Sequence, residues 1–476
     1  MNLNNLTIEE AHKGLVNKDF TSVDLTKACL DAIREKDEKL NAFITVTEDA
    51  AFEAAEAADK KIKDTKVKTN ILTGIPIAIK DNILVEGVKA TSGSKILKNY
   101  VATYDATVIQ KLKAAGAVIL GKTNMDEFAM GSSGENSAFG TIKNPHDLTR
   151  VPGGSSSGSV VSVASNQTIC ALGSDTGGSV RQPSAFCGIV GFKPTYGAVS
   201  RHGLAAMASG FDQIGPVTKT VRDAAYLYEA IAGENKFDST SVKQKVDVVS
   251  SLDQDLKGKK IGLPKEFFIK ELDPKVKEIV EKAAKKLESL GCEIKQVSLP
   301  RLKYSIAAYY ILILAEVSSN MARYDGVRYG FRAEAGNLLE TYLKTRGQGL
   351  GEEVSRRIML GTYVLSAGYN DQYYKKAQKV RRLIKEDFEK VYQDVDVILA
   401  PTTPTTAFKL GEKTNDPLTM YLEDVFTVPA NVAGLPAISV PGGKIDKLPV
   451  GIQLFGQHFK EADLLNIANQ LEKNLA

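Results

Sequence analysis

The sequence predicts an α/β protein whose buried strands alternate with helices, with one sheet gathering strands from both ends of the chain. Three observations carry this. Short continuous apolar runs such as residues 75–79 fit strands covered on both faces. Helix-period stretches lie between them, the alternation expected of a sheet with helical layers. Strand-like runs recur at residues 397–399, 437–440 and 450–455, so the C-terminal part returns to a sheet begun near the N-terminus.

In chain order, Thr7 followed by Glu10 and Thr21 followed by Asp24 place capping pairs ahead of apolar-periodic runs, predicting two helices within residues 1–37. The run at 75–79 ends in Lys80, Asp81 and Asn82, delivering a lysine at a strand end. A helix over 106–115 stops at Gly116 and leads into a strand at 117–120. Residues 168–172 form a further strand running into glycines. Residues 234–258 are polar and aperiodic, a linker or surface excursion before a helix-rich stretch at 274–392. The expected organisation is a single domain over residues 1–476, with a catalytic core segment at 60–220 and a helix-rich elaboration at 270–392.

With 476 residues and 43% hydrophobic content, the chain can bury a large core. Its formal charge of +4, from 61 basic and 57 acidic residues, is spread along the sequence and marks no basic face for direct nucleic-acid binding. A role on RNA calls for a partner. Cys29, Cys170, Cys187 and Cys292 stand far apart with no CxxC, matching neither a disulfide framework nor a zinc site, and a reducing cytoplasmic setting is expected. Residues 1–18 are polar and acidic, unlike a secretory or transit segment. Apolar stretches such as 311–315 fall far short of the ~20 residues of a membrane span. A soluble chain is expected.

Between Pro152 and Pro216 the composition shifts to glycine and serine. The run from Pro152 through Gly153, Gly154, Ser155, Ser156, Ser157 and Gly158 to Ser159 could cradle an anion, but it has neither P-loop nor dinucleotide-fingerprint spacing. A flexible loop is the plain alternative. Downstream, residues 173–181 (GSDTGGSVR) form a turn in which backbone N–H groups from Thr176 to Ser179 could converge on one spot, as an oxyanion hole requires. Ser179 is placed as the nucleophile and needs a base. Of the four histidines, His12 and His458 read as surface residues, whereas His146 and His202 lie in loops near the block and stay open as bases. No GxSxG elbow is present. A lysine in an apolar site is the other choice, because desolvation lowers its pKa from ~10.4. Lys80 has that setting, although a strand-end lysine ordinarily reaches water.

Taken together, GGSS at 153–156, GSDTGGSVR at 173–181, and a lysine 75 residues before Ser155, with Ser179 another 24 beyond, resemble the amidase signature family. The resemblance implies a triad of Lys80 as base, Ser155 as relay and Ser179 as nucleophile. It also implies an oxyanion hole of Thr176, Gly177, Gly178 and Ser179, a cis peptide at Ser155, and no metal. The implied fold is a single large mixed β-sheet sandwiched between helices, with a helix-rich insertion. Ser157 departs from the pattern, standing where glycine is more usual.

Residues 193–197 (KPTYG), 212–216 (DQIGP), 316–330, 357–363 and 417–421 with Asp424 extend the resemblance over nearly the whole chain. The branch they resemble is that of the glutaminase subunits of tRNA-dependent amidotransferases. That implies hydrolysis of glutamine and delivery of ammonia to a partner subunit, which uses ATP and Mg to amidate Glu-tRNA(Gln) or Asp-tRNA(Asn). The expected assembly is a heterotrimer with subunits B and C, tRNA is held mainly by the partner, and this chain carries no cofactor. Arg357 and Asp424 match positions that hold the α-carboxylate and α-ammonium of glutamine, chemistry suited to a guanidinium and a carboxylate. Tyr309, Tyr310 and Met130 are the expected pocket walls. Glu353 and Arg357, spaced i,i+4, also fit an ordinary solvated ion pair. The alternatives are a stand-alone amidase of a small or hydrophobic carboxamide and a non-catalytic scaffold.

Overall fold

The computed structural model describes residues 2–64, 69–244 and 246–475. Met1, residues 65–68 within the expected catalytic segment, Lys245 within the expected linker, and Ala476 lie outside the described residues.

Both N-terminal capping pairs form. Thr7 caps the helix Ile8–Asn17 and Thr21 the helix Ser22–Leu40, while Glu10 and Asp24 reach back to the cap N–H groups. This reciprocal pairing satisfies donors that a helix start leaves open.

Among the described residues eleven strands make one sheet: β1 (Phe43–Val46), β2 (Pro76–Lys80), β3 (Val118–Thr123), β4 (Cys170–Asp175), β5 (Val190–Lys193), β6 (Gln213–Thr218), β7 (Lys260–Pro264), β8 (Glu293–Val297), β9 (Val397–Pro401), β10 (Ala437–Ile445) and β11 (Leu448–Gly456). Their spatial order is β1-β3-β2-β4-β6-β5-β10-β11-β9-β7-β8. β2 is parallel to β3 and β4, and β7 to β8 and β9, whereas β4–β6, β5–β10 and β9–β11 are antiparallel. The sheet is therefore mixed, as the family resemblance implied.

Side-chain alternation along β9 shows how the layers form. Val397 and Leu399 enter one apolar core, and Ile398 and Ala400 enter another across the sheet. Helices Ser22–Leu40, Val221–Ile231 and Glu461–Leu475 contribute to the first core, and Ser305–Met321 and Lys376–Val391 to the second. Both faces are covered, which is why β2, β4 and β9 read as continuous apolar runs.

Three differences from the sequence expectation have physical causes. β4 continues beyond Leu172 to Asp175 because Gly173, Ser174 and Asp175 pair with Gly215, Ile214 and Gln213 of β6, and glycine is required at 173, where the Ser156 hydroxyl lies 2.8 Å from the position of a Cβ. The helix-rich stretch 270–392 contains β8, an edge strand whose largely accessible, charged residues hide its strand character. Of the stretch 234–258, residues 246–258 bury Val248, Leu252 and Leu256 in the first core and lead into β7 of the same sheet. They are an excursion within one sheet and do not link two sheets.

Candidate active site

β2 and β4 are parallel neighbours, so their C-terminal ends lie side by side and bring Lys80 to Ser174. Ligand sites in α/β sheets form at such ends. Ser155 and Ser156 arrive from the segment that starts the buried helix Ser157–Ala164, and the Gly154–Ser155 peptide is cis.

Lys80 is wholly buried, with Nζ 2.8 Å from Ser155 Oγ, 2.9 Å from Ser156 Oγ and 2.9 Å from Ser174 Oγ. The Ser156 hydroxyl accepts from Ser174 N–H at 3.2 Å and donates to Ser174 O at 3.1 Å, so toward Lys80 it acts only as an acceptor. Ser174 Oγ accepts from Asn82 Nδ2 at 3.0 Å. Nζ also lies 3.2 Å from the Ser174 carbonyl, so uncharged oxygens of Ser155, Ser156 and Ser174 surround the amine. Burial lowers the Lys80 pKa to about 7, against the pull of Asp126, Asp175 and Asp212.

Ser179 is 8% exposed, and its backbone carbonyl accepts from Ser156 N–H at 3.1 Å. Among the described residues no hydrogen bond joins Ser179 Oγ to Ser155 Oγ, so the structure brings Lys80 and Ser155 into contact and leaves the last link open. Such links commonly tighten only with substrate bound. The N–H groups of Thr176, Gly177, Gly178 and Ser179 have no acceptor among the described residues. His146 faces the Cys187 carbonyl at 2.9 Å, and His202 faces Thr107 while stacked between Tyr104 and Phe237. Both rings are engaged away from Ser179.

Ser157 acquires a clear contact. Its hydroxyl donates to Gly153 O at 2.6 Å and packs against Gly134, filling space that a glycine would leave.

The loop bearing Ser179 is tied down by residues to which the sequence assigned no role. Burial opposes ionisation of Asp175, yet the Arg181 guanidinium, with Lys193 and Asn431, holds its pKa down to about 2. Arg181 reaches Asp175 at 3.1 and 3.2 Å, Asn431 at 2.6 Å and the Thr427 carbonyl at 3.0 Å. Arg181 and Asp175 both lie within the GSDTGGSVR motif, but the other partners, Thr427 and Asn431, are 246 and 250 residues away in sequence and leave no local signal.

Of the residues expected to hold the substrate, Arg357 is 4% exposed, donates through Nε to Glu353 at 2.7 Å, and lies over the rings of Tyr310 and Tyr421. The i,i+4 ion pair forms with Arg357 buried and Glu353 partly so, and it leaves the terminal guanidinium nitrogens without an acceptor among the described residues. Asp424 is 6% exposed and accepts from the Ser132 hydroxyl at 2.6 Å; burial pushes its pKa up to about 7. Tyr309 packs its hydroxyl against Gly177, and Met130 is buried in the same core as both tyrosines. A cavity of about 320 Å³ opens beside Arg357, Tyr421, Gly131 and Ser133, and Ser179 is not part of its wall. Neither Ser132 nor Glu353 was assigned to the site from sequence. Among the described residues no group of His, Cys, Asp or Glu side chains is arranged to hold a metal ion.

A family model described as Amidase matches residues 24–465, and the chain belongs to that family. Over 475 residues it is 55% identical to the A subunit of the glutamyl-tRNA(Gln) amidotransferase of Caldanaerobacter subterraneus subsp. tengcongensis, covering 99% of this chain and 97% of that one. The crystal structure of the same-named protein from Thermotoga maritima matches with a TM-score of 0.83 at 45% identity, over 100% of this chain and 96% of that one. The native peptide amidase of Stenotrophomonas maltophilia matches with a TM-score of 0.84 at 31% identity, over 98% and 96%. Shape alone does not separate these relatives, so identity and the site must.

Proposed function

We propose that this chain is the glutamine-hydrolysing component of a tRNA-dependent amidotransferase, releasing ammonia for a partner subunit that amidates Glu-tRNA(Gln), Asp-tRNA(Asn) or both. The assembly is a heterotrimer with subunits B and C in a reducing cytoplasm, and ATP and Mg act in the partner.

One juxtaposition carries the reading. A buried guanidinium and a buried carboxylate, Arg357 and Asp424, lie close enough for the Arg357 charge to act on Asp424, and Asp424 stands three residues before Thr427, which bonds Gly177 in the Ser179 loop. Free glutamine has an α-carboxylate for the first and an α-ammonium for the second. A simple hydrophobic amide has neither.

In this reading Ser179 attacks the carboxamide carbon, giving its proton to Ser155 as Ser155 gives its own to neutral Lys80. Backbone N–H groups of residues 176–179 hold the oxyanion. As the C–N bond breaks, the proton returns by the same path to the nitrogen, which leaves as ammonia. Water then attacks the acyl ester, releasing glutamate and restoring Ser179.

The test follows ammonia release from glutamine with partner subunits and mischarged tRNA. Ser179→Ala should abolish release, and Arg357→Lys should raise KM while sparing kcat. Rapid turnover of simple amides with negligible glutaminase activity in the complex would replace this reading with a stand-alone amidase.

A further inference from the structure

We infer that Thr427 is a positioning residue for the oxyanion site: its hydroxyl fixes the plane of the Gly177–Gly178 peptide and so aims the Gly178 N–H. The inference rests on Ser179 being the nucleophile.

Paired glycines have the least restricted backbone in a chain, so a Gly-Gly turn cannot hold two N–H vectors by itself. Thr427, wholly buried ahead of the helix Val428–Ala433, supplies an external hold. Its Oγ1 donates to Gly177 O at 2.7 Å. Oγ1 also lies 3.1 Å from Asp424 O, a longer contact to a carbonyl that in addition accepts the Thr427 N–H at 3.1 Å. The hydroxyl proton is held mainly by the contact with Gly177 O, the shorter by 0.4 Å. A trans peptide points its N–H opposite its C=O, so holding the Gly177 carbonyl on the Thr427 side turns the Gly178 N–H to the other face.

Two further contacts make the arrangement specific. Gly178 has φ +143°, and Thr427 Oγ1 occupies the position a side chain there would take, so the loop fits this hydroxyl and no Cβ. The next carbonyl, Gly178 O, accepts from Gln182 N–H at 2.8 Å, orienting the following peptide in turn. Thr427 itself is anchored through its carbonyl to Arg181, which pairs with Asp175 at the start of the loop. The chain of contacts Asp175, Arg181, Thr427, Gly177 closes around the oxyanion turn.

The experiment compares wild type, Thr427→Val, Thr427→Ala and Thr427→Ser in the assembled complex. Two rates are read: ammonia release from glutamine, and covalent labelling of Ser179 by a fluorophosphonate, whose phosphoryl oxygen enters the same hole without needing glutamine. Losing a direct oxyanion donor costs ~100- to 1000-fold, so losing the group that aims one should lower kcat by roughly 10- to 100-fold in Thr427→Val. KM should stay within about twofold, and Thr427→Ser should recover most of the rate. Thr427→Ala should match valine and stands in for it if valine does not fold. Labelling should follow the same order with similar melting temperatures. Equal rates in valine and wild type, a serine variant as slow as valine, or a loss confined to KM would overturn the inference. Labelling that depends on Thr427 while wild type releases no ammonia would sink the glutamine reading and leave the inference standing. A wild type that neither labels nor releases ammonia removes the nucleophile, and the inference with it.

Discussion

At the scale of single residues, Lys80 shows how placement changes the acid–base behaviour of an ordinary side chain. Its pKa of about 7 arises because burial removes water while three serines offer only uncharged hydrogen-bond partners. Two outcomes follow. The glutaminase rate should rise with pH through about 7 as the amine loses its proton, and Lys80→Met should remove both the rate and its pH dependence. Stability should move the same way for a separate reason. The folded pKa lies below the ~10.4 of the unfolded chain, so the unfolded state binds more protons between the two values and stability rises with pH across that window. The destabilisation is fully present below about pH 7. The melting temperature of Lys80→Met relative to wild type should therefore be most favourable at about pH 6 and lose that advantage toward pH 10, as read by calorimetry. A difference that does not change with pH would mean that Lys80 is not the titrating group.

At the scale of elements, the sequence was legible where a residue acts on its near neighbours. The capping boxes at Thr7 and Thr21 and the apolar run into Lys80 satisfy or bury groups within a few positions, so their signals are local. β5 and β6 carry Gly191, Gly215 and Pro216 and look like loops; their strand character comes from pairing with β4 and β10. Helix packing is equally non-local. Gly361, in the helix Glu352–Leu365 that carries Arg357, lies against the Leu314 carbonyl of the helix Ser305–Met321 that carries Tyr309 and Tyr310. Alanine is favoured over glycine in a helix by about 1 kcal/mol. Here the crowded backbone outweighs that gain, and Gly361→Ala should destabilise by about 1–3 kcal/mol and raise KM for glutamine as Arg357 shifts. Denaturant unfolding and steady-state kinetics check this; a stabilised variant with unchanged KM would show that the two helices are not tightly coupled.

At the scale of the whole molecule, β10 and β11 join two groups of strands: β1, β3, β2, β4, β6 and β5 on one side, β9, β7 and β8 on the other. Removing residues 437–475 would expose β5 and β9 as unpaired edges and open both cores. The truncated chain should aggregate and lose its cooperative unfolding transition, and a soluble monomer with such a transition would contradict this account of the sheet. By itself the sequence determined the alternation of buried strands and capped helices, the glycine-serine turn, and the lysine at a strand end, because each depends on local spacing and burial. Only the tertiary structure decided that Lys80 meets Ser155, Ser156 and Ser174, that Arg357, paired with Glu353, is buried against tyrosines, and that Thr427 grips Gly177. Those contacts join residues up to 250 positions apart, and the burial that lowers the pKa of Lys80 and raises that of Asp424 exists only once the sheet has closed around them.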